Sequence, residues 1–172
     1  MAVKRSGKMF NLGLIGCGNI GRRHLEGCLL LQESFSLKIQ TYDASPSPSI
    51  FSPYSIDSIQ DFSEELDICF IATPAPPRLN LLRELLSLKK VRFIVLEKVA
   101  FQSEGDFSEA LKLEKTTGAK IYINCPLRIQ PLYQKVAGLL GGARGLCFNY
   151  EYSQDFKISS SLIHNLDLFC FL

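Results

Sequence analysis

Residues 10–21 read Phe-Asn-Leu-Gly-Leu-Ile-Gly-Cys-Gly-Asn-Ile-Gly. An apolar, strand-like run (10–15) empties into Gly16-x-Gly18-x-x-Gly21, and a helix-like segment follows over about 20–31. Strand, glycine turn and helix in that order are what a dinucleotide-binding turn requires. The first glycine allows the tight turn, the second lets backbone approach a pyrophosphate, and the third lets helix pack on strand. Unpaired N–H groups and the helix dipole would then favour phosphate at the helix N-terminus. Asp43 ends the next apolar run, 22 residues past Gly21, the spacing of an acid that hydrogen-bonds the adenosine ribose hydroxyls.

Working outward, 36–42 reads as a second strand, and 44–53, with three prolines and four serines, as loop. A short acidic segment (55–65) leads to a buried-strand run over 67–72, which Thr73-Pro74-Ala75-Pro76-Pro77 breaks sharply. Apolar residues at 79, 81, 82, 85, 86 and 88 give a helical period over 78–88. A strand over 91–96 closes on Glu97-Lys98, a helix over 103–117 stops at Gly118, and 120–124 is a further short strand. Alternating strands and helices at this spacing predict an α/β fold, a doubly wound parallel sheet of Rossmann type. The character changes after Asn124: a helix over 131–140, a glycine-rich stretch, a strand over 146–152, and the start of a helix over 162–172. The domain boundaries predicted are 8–124 for the dinucleotide-binding domain and 125–172 for the beginning of an incomplete α+β second domain for substrate and oligomerisation, one that the chain's end truncates.

The 172 residues are 47% hydrophobic and 21% charged, which predicts a packed core rather than disorder. A net charge of +2 argues against nucleic acid or an anionic membrane as partner. Lys4, Arg5 and Lys8 are not followed by a signal-peptide core, and no apolar run is long enough for a membrane span, so a soluble, cytoplasmic protein is expected. Six cysteines (Cys17, Cys28, Cys69, Cys125, Cys147, Cys170) form no CxxC pair. They predict buried reduced thiols, with neither a metal site nor a disulfide framework.

In a doubly wound sheet, ligands bind beyond the carboxyl ends of the strands, so the strand-end residues are the ones to interrogate. A carboxylate at Asp43 would repel a 2′-phosphate and favours NAD over NADP; capping of the turn into Ala44-Ser45-Pro46 is its plainer role. Ala72-Thr73-Pro74 fits a turn beneath a nicotinamide ribose, or a proline-rich strand exit with a purely conformational role. Lys98 fits a proton donor or acceptor in a cleft, and the plainer alternative is an exposed ion pair with Glu97.

Taken together, residues 16–24 (Gly-Cys-Gly-Asn-Ile-Gly-Arg-Arg-His), Ala72-Thr73-Pro74 and Glu97-Lys98 resemble the N-terminal domain of the glucose–fructose oxidoreductase/inositol dehydrogenase (Gfo/Idh/MocA) family. Residues 124–131 resemble its crossover segment, and His164-x-x-Asp167 its helix facing the active site. The resemblance implies a two-domain NAD(P)-dependent oxidoreductase of carbohydrate metabolism, acting on sugars, cyclitols or nucleotide-linked sugars. By the same resemblance Gly16, Gly18, Asn19, Ile20, Gly21, Asp43, Ala72, Thr73, Pro74, Glu97 and Asn124 bind the cofactor, with Glu97 at the nicotinamide ribose. Lys98 is the catalytic lysine, His164 and Asp167 are its catalytic partners, and Lys98, Arg128 and His164 contact substrate. A homo-oligomer is the implied assembly.

The sequence departs from that pattern in three places. Val99 stands where the family usually has proline, a change expected to alter the peptide geometry that aims Lys98. Ser160 replaces the acid four residues before the histidine, and Arg78 the histidine after the Thr-Pro turn. Two alternatives therefore stand beside the dehydrogenase: a non-catalytic dinucleotide-binding module serving as redox sensor or partner-binding protein, and a degenerate fold that binds nothing.

Overall fold

The computed structural model describes residues 7–45, 49–141 and 158–171. Five strands, β1 (Met9–Ile15), β2 (Ser36–Tyr42), β3 (Glu65–Ile71), β4 (Lys90–Leu96) and β5 (Lys120–Ile123), form one sheet in the order β2-β1-β3-β4-β5. Every pairing is parallel. Parallel sheets are covered on both faces, so their strands are near-continuous apolar runs, as Leu-Asp-Ile-Cys-Phe-Ile in β3 is. Alternate side chains go to opposite layers. Cys69 and Ile71 pack with Leu79, Leu82 and Leu85 of α2 (Arg78–Leu88) and Ala110 of α3 (Glu104–Thr117). Ile68 and Phe70 pack instead with Leu25 and Cys28 of α1 (Asn19–Leu31).

Register decides where the site falls. Ile15 is opposite both Tyr42 and Ile71, Ile71 is opposite Leu96, and Leu96 is opposite Ile123. The strands therefore end level, and their exits (Gly16, Asp43, Ala72 and Glu97) share one edge of the sheet. Between β1 and β3 the strand order reverses, the crevice where doubly wound sheets hold ligands.

α3 carries its own start and stop signals. The Ser103 hydroxyl accepts from the Asp106 N–H, acids occupy the first turn, and Gly118 closes the helix at φ 77°. Several expected boundaries need correction. The segment expected as loop contains a 3₁₀ helix, Ser49–Tyr54, because Phe51 is fully buried against the α1 side of the sheet. A second 3₁₀ turn, Ile59–Asp61, lies within the acidic segment and buries Ile59. β3 begins two residues early because Glu65 and Leu66 pair with Lys90 and Val91.

The chain divides into two compact units, Met1–Ile123 and Asn124–Leu172. The described part of the second comprises a 3₁₀ turn (Pro126–Ile129), α4 (Pro131–Leu140) and α5 (Ile158–Phe171). The strand expected over 146–152 and Cys147 lie outside the described residues. Cys17, Cys28 and Cys69 are buried thiols, whereas Cys125 is half-buried and Cys170 exposed, so burial holds for three of the five described. Desolvation raises the pKa of both Cys28 and Cys69, keeping these thiols protonated. Among the described residues, no helix is long and apolar enough to cross a membrane.

Candidate functional site

The three glycines of the turn do different work. Gly16 has φ +99°, and a Cβ there would lie 2.8 Å from the Thr73 nitrogen, so the β3 exit crosses directly against it. A Cβ on Gly21 would lie 1.9 Å from the Gly16 carbonyl oxygen, the contact that seats α1 on the turn. Gly18 is exposed, and a Cβ there would meet nothing within 4 Å. It faces a cleft of about 760 Å³, lined also by Asn19, Ile20, Thr73, Pro74 and Lys98.

Backbone bonds hold the turn to β2. The Gly16 N–H donates to the Tyr42 carbonyl (2.9 Å), and the Cys17 N–H to Asp43 Oδ2 (2.6 Å). Asp43 Oδ1 accepts from the Ser45 N–H (2.8 Å). Asp43 thus caps its own turn and tethers the glycine loop. Each carboxylate oxygen still has a second lone pair with which to accept a ribose hydroxyl.

The exits of β3 and β4 are joined by a residue that the sequence marked only as a departure. Arg78, the first residue of α2, is 2% exposed. Its Nη1 donates to the carbonyls of Glu97 (2.5 Å), Val99 (2.5 Å) and Ala100 (2.9 Å), and its Nη2 to the Thr73 carbonyl. Burial pushes the guanidinium pKa down, and the nearby Glu97 charge opposes that shift. Arginine nevertheless keeps its charge in a folded protein. Glu97, 7% exposed, has Oε1 2.8 Å from His24 Nε2, and the His24 ring stacks on Phe70 at 4.7 Å. The expected ribose ligand therefore has one oxygen held by His24, which the sequence placed in the motif without a role. Only tertiary packing brings positions 24 and 97 together. Lys98 is half-buried and lines the cleft, and the Lys98–Val99 peptide is cis.

In the second unit, Arg128 and Asp167 are paired with each other. Arg128 Nε donates to Asp167 Oδ2 (2.8 Å) and Nη2 to Oδ1, a bidentate pair that raises the arginine pKa. His164 is half-buried one turn before Asp167 on α5, and Asn124 is half-buried at the start of the unit. The structure thus brings together Gly16, Gly18, Asn19, Ile20, Gly21, Asp43, Ala72, Thr73, Pro74, Glu97 and Lys98 at one sheet edge. Arg128, His164 and Asp167 are grouped by the contact of the 3₁₀ turn with α5. A cleft of similar size, about 740 Å³, lies at the opposite end of the strands. Of its charged lining residues, Lys8, Asp67, Glu65, Lys89 and Lys90 are held in the pairs Lys8–Asp67, Lys89–Glu64 and Lys90–Glu65, and Arg92 lies over the Phe93 ring.

No protein-family model matches the chain, and no curated protein matches it in sequence. Solved structures do match it in fold. UDP-N-acetylglucosamine 3-dehydrogenase GnnA from Acidithiobacillus ferrooxidans superposes with a TM-score of 0.71 at 17% identity, over 94% of this chain and 53% of that one. The WlbA (WbpB) dehydrogenase from Thermus thermophilus, in complex with NAD and α-ketoglutarate, gives 0.71 at 19% identity, over 95% and 62%. A super-repressor mutant of Gal80p from Saccharomyces cerevisiae gives 0.73 at 15% identity, over 94% and 52%. The chain shares the fold of these structures. It spans between 52% and 62% of the length of these three structures.

One structure of this fold, the WlbA dehydrogenase, holds NAD, and three features of the cleft here fit a nicotinamide dinucleotide. Gly18 leaves open the space that a side chain would fill. No side chain caps the first turn of α1, whose N–H groups lack intrahelical acceptors. The Thr73 hydroxyl oxygen is buried with no hydrogen-bond partner among the described residues.

Proposed function

We propose that this chain carries the nucleotide-binding half of an NAD(P)-dependent oxidoreductase of the Gfo/Idh/MocA family. Its substrate class is a sugar, cyclitol or nucleotide-linked sugar. The observation that carries the assignment is the single cleft at the strand ends that is lined by both Gly18 and Lys98. Gly18, with open space where a side chain would stand, and Lys98 in the lining of the same cleft would serve the two ends of one hydride-transfer site.

When bound, the dinucleotide supplies the hydride acceptor or donor. The chain's own residues do the rest. Gly16 and Gly21 shape the turn, Gly18 leaves room for the pyrophosphate, and the first turn of α1 (Asn19, Ile20) offers N–H donors. Asp43 accepts the adenosine ribose hydroxyls and disfavours a 2′-phosphate, which supports NAD over NADP. Ala72, Thr73, Pro74 and Glu97 line the nicotinamide side. As the substrate's C–H hydride leaves and its hydroxyl becomes a carbonyl, Lys98 Nζ takes the hydroxyl proton; in reduction it returns it. His164 and Asp167 are assigned to proton handling, Arg128 to substrate and Asn124 to cofactor. Asp167 also holds the orientation of Arg128. Exposed Leu132, Leu139, Leu166 and Phe169 on α4 and α5 support association with a second copy.

Lys98→Ala tests the chemistry separately from binding. The variant is expected to bind NADH as the unsubstituted chain does and to lose NAD-dependent turnover of a polyol panel by at least about 100-fold. Weakened NADH binding with turnover intact would remove Lys98 from the proton-transfer role.

A second assignment, a non-catalytic dinucleotide-binding regulator, has an observation of its own: one protein of the same fold is a repressor. NADH binding with no turnover of any polyol by the unsubstituted chain would favour it.

A further inference from the structure

A buried arginine usually answers a buried carboxylate; Arg78 answers backbone. Its four acceptors are carbonyls of Thr73, Glu97, Val99 and Ala100, from two strand exits, and none belongs to its own helix. Three of them bracket Lys98 on both sides. The fourth belongs to the residue whose nitrogen lies against Gly16. Arg78 stands in the lining of the cleft but is only 2% exposed, and its Nη1 and Nη2 groups are taken up by these carbonyls.

Its placement is prepared locally. Pro76 and Pro77 precede it, with backbone φ fixed by their rings, and Arg78 opens α2 on the face that buries Leu82 and Leu85. The planar fork presents several N–H donors in fixed directions, which a single ammonium does not reproduce. Its charge also lies near the Glu97 carboxylate, whose Oε1 is held by His24.

We propose that Arg78 is a positioning residue: it fastens the Thr73 exit of β3 to the Glu97–Ala100 exit of β4 and so fixes the wall of the cleft against which a nicotinamide ring and its ribose lie. The proposal rests on the dinucleotide-binding function given above. With the pyrophosphate on the glycine turn and the adenosine ribose on Asp43, the nicotinamide half falls to the β3 and β4 exits. Arg78 therefore acts on that half alone. Removing it strands four carbonyls beside the cleft and frees two exits to move independently, a loss of preorganisation rather than of a ligand contact.

The test compares two ligands on the full chain carrying Arg78→Lys or Arg78→Met, with thermal unfolding followed in parallel. ADP keeps the adenosine and both phosphates but lacks the second ribose and the nicotinamide. For Arg78→Lys, NADH affinity is expected to fall about tenfold while ADP affinity changes less than about twofold, because only the wall for the nicotinamide and its ribose is loosened. Arg78→Met is expected to show the same split, at least as large. Equal weakening of both ligands would make Arg78 a general folding residue and overturn the proposal. Unchanged NADH affinity would overturn it, as would failure of both variants to fold. If the unsubstituted chain bound neither ligand, the dinucleotide function itself would fall, an outcome visible before any variant is examined.

Discussion

A methyl group added at Gly21 would stand 1.9 Å from the Gly16 carbonyl oxygen, while one added at Gly18 would meet nothing within 4 Å. Gly21→Ala is therefore expected to destabilise the chain by about 1–3 kcal/mol, because backbone must shift to relieve the overlap. Gly18→Ala should stay within about 0.5 kcal/mol, as surface substitutions do. Urea denaturation of the two variants measures the difference, and equal losses would contradict these distinct roles. The motif itself gives these glycines different roles, and the packing of the β3 exit and α1 against the turn shows the close approaches at Gly16 and Gly21. Asp43 was legible as a strand-end acid, but its bond to the Cys17 N–H was not. Arg78 and His24 carried no local signal of what they do. Three of the four partners of Arg78 lie 19 to 22 positions along the chain and that of His24 lies 73 along, and only the parallel register brings those residues near.

Among elements, those written in long apolar runs or strong helical periods were the most legible. β2, α2 and α4 occupy the residues their patterns indicated, since local periodicity and flanking prolines bound them. Short 3₁₀ turns were not, because a single buried Phe51 or Ile59 sets them rather than any repeat. The early start of β3 likewise depends on a neighbour strand. That same end of the sheet carries a pH-dependent contact between elements. Asp67 in β3 accepts from the Asn11 N–H of β1 (3.0 Å) and from Lys8 Nζ (3.0 Å). Burial alone would raise its pKa, but the Asn11 N–H, the Lys8 ammonium and the Arg92 charge outweigh it and hold the carboxyl below its ordinary value. A carboxyl depressed in the folded state binds fewer protons there than in the unfolded chain, so it contributes stability above the ordinary aspartate range. That contribution is lost as pH falls through the depressed value. Asp67→Asn should lower the melting temperature at neutral pH, with the deficit closing on acidification. A deficit independent of pH would show that the ion pair and its hydrogen bonds are not its source.

For the whole molecule, the fold subsumes the motifs: the strand order and level strand ends put Gly18, Asp43, Thr73 and Lys98 along one crevice. The chain spans little more than half of the structures that share this fold, and that fold serves both dehydrogenases and a repressor. Fold alone therefore does not choose between catalysis and regulation. Both proposed functions require a dinucleotide held in this cleft, and that requirement is the central claim. The most direct test is a fluorescence titration of the chain with NADH and with NADPH, repeated on Gly18→Val. The side chain in that variant would occupy the space left open for the pyrophosphate. Saturable binding, tighter for NADH and abolished in Gly18→Val while the variant stays folded, is the predicted result. Absence of binding for both nucleotides, or NADH binding undisturbed by Gly18→Val, would contradict it.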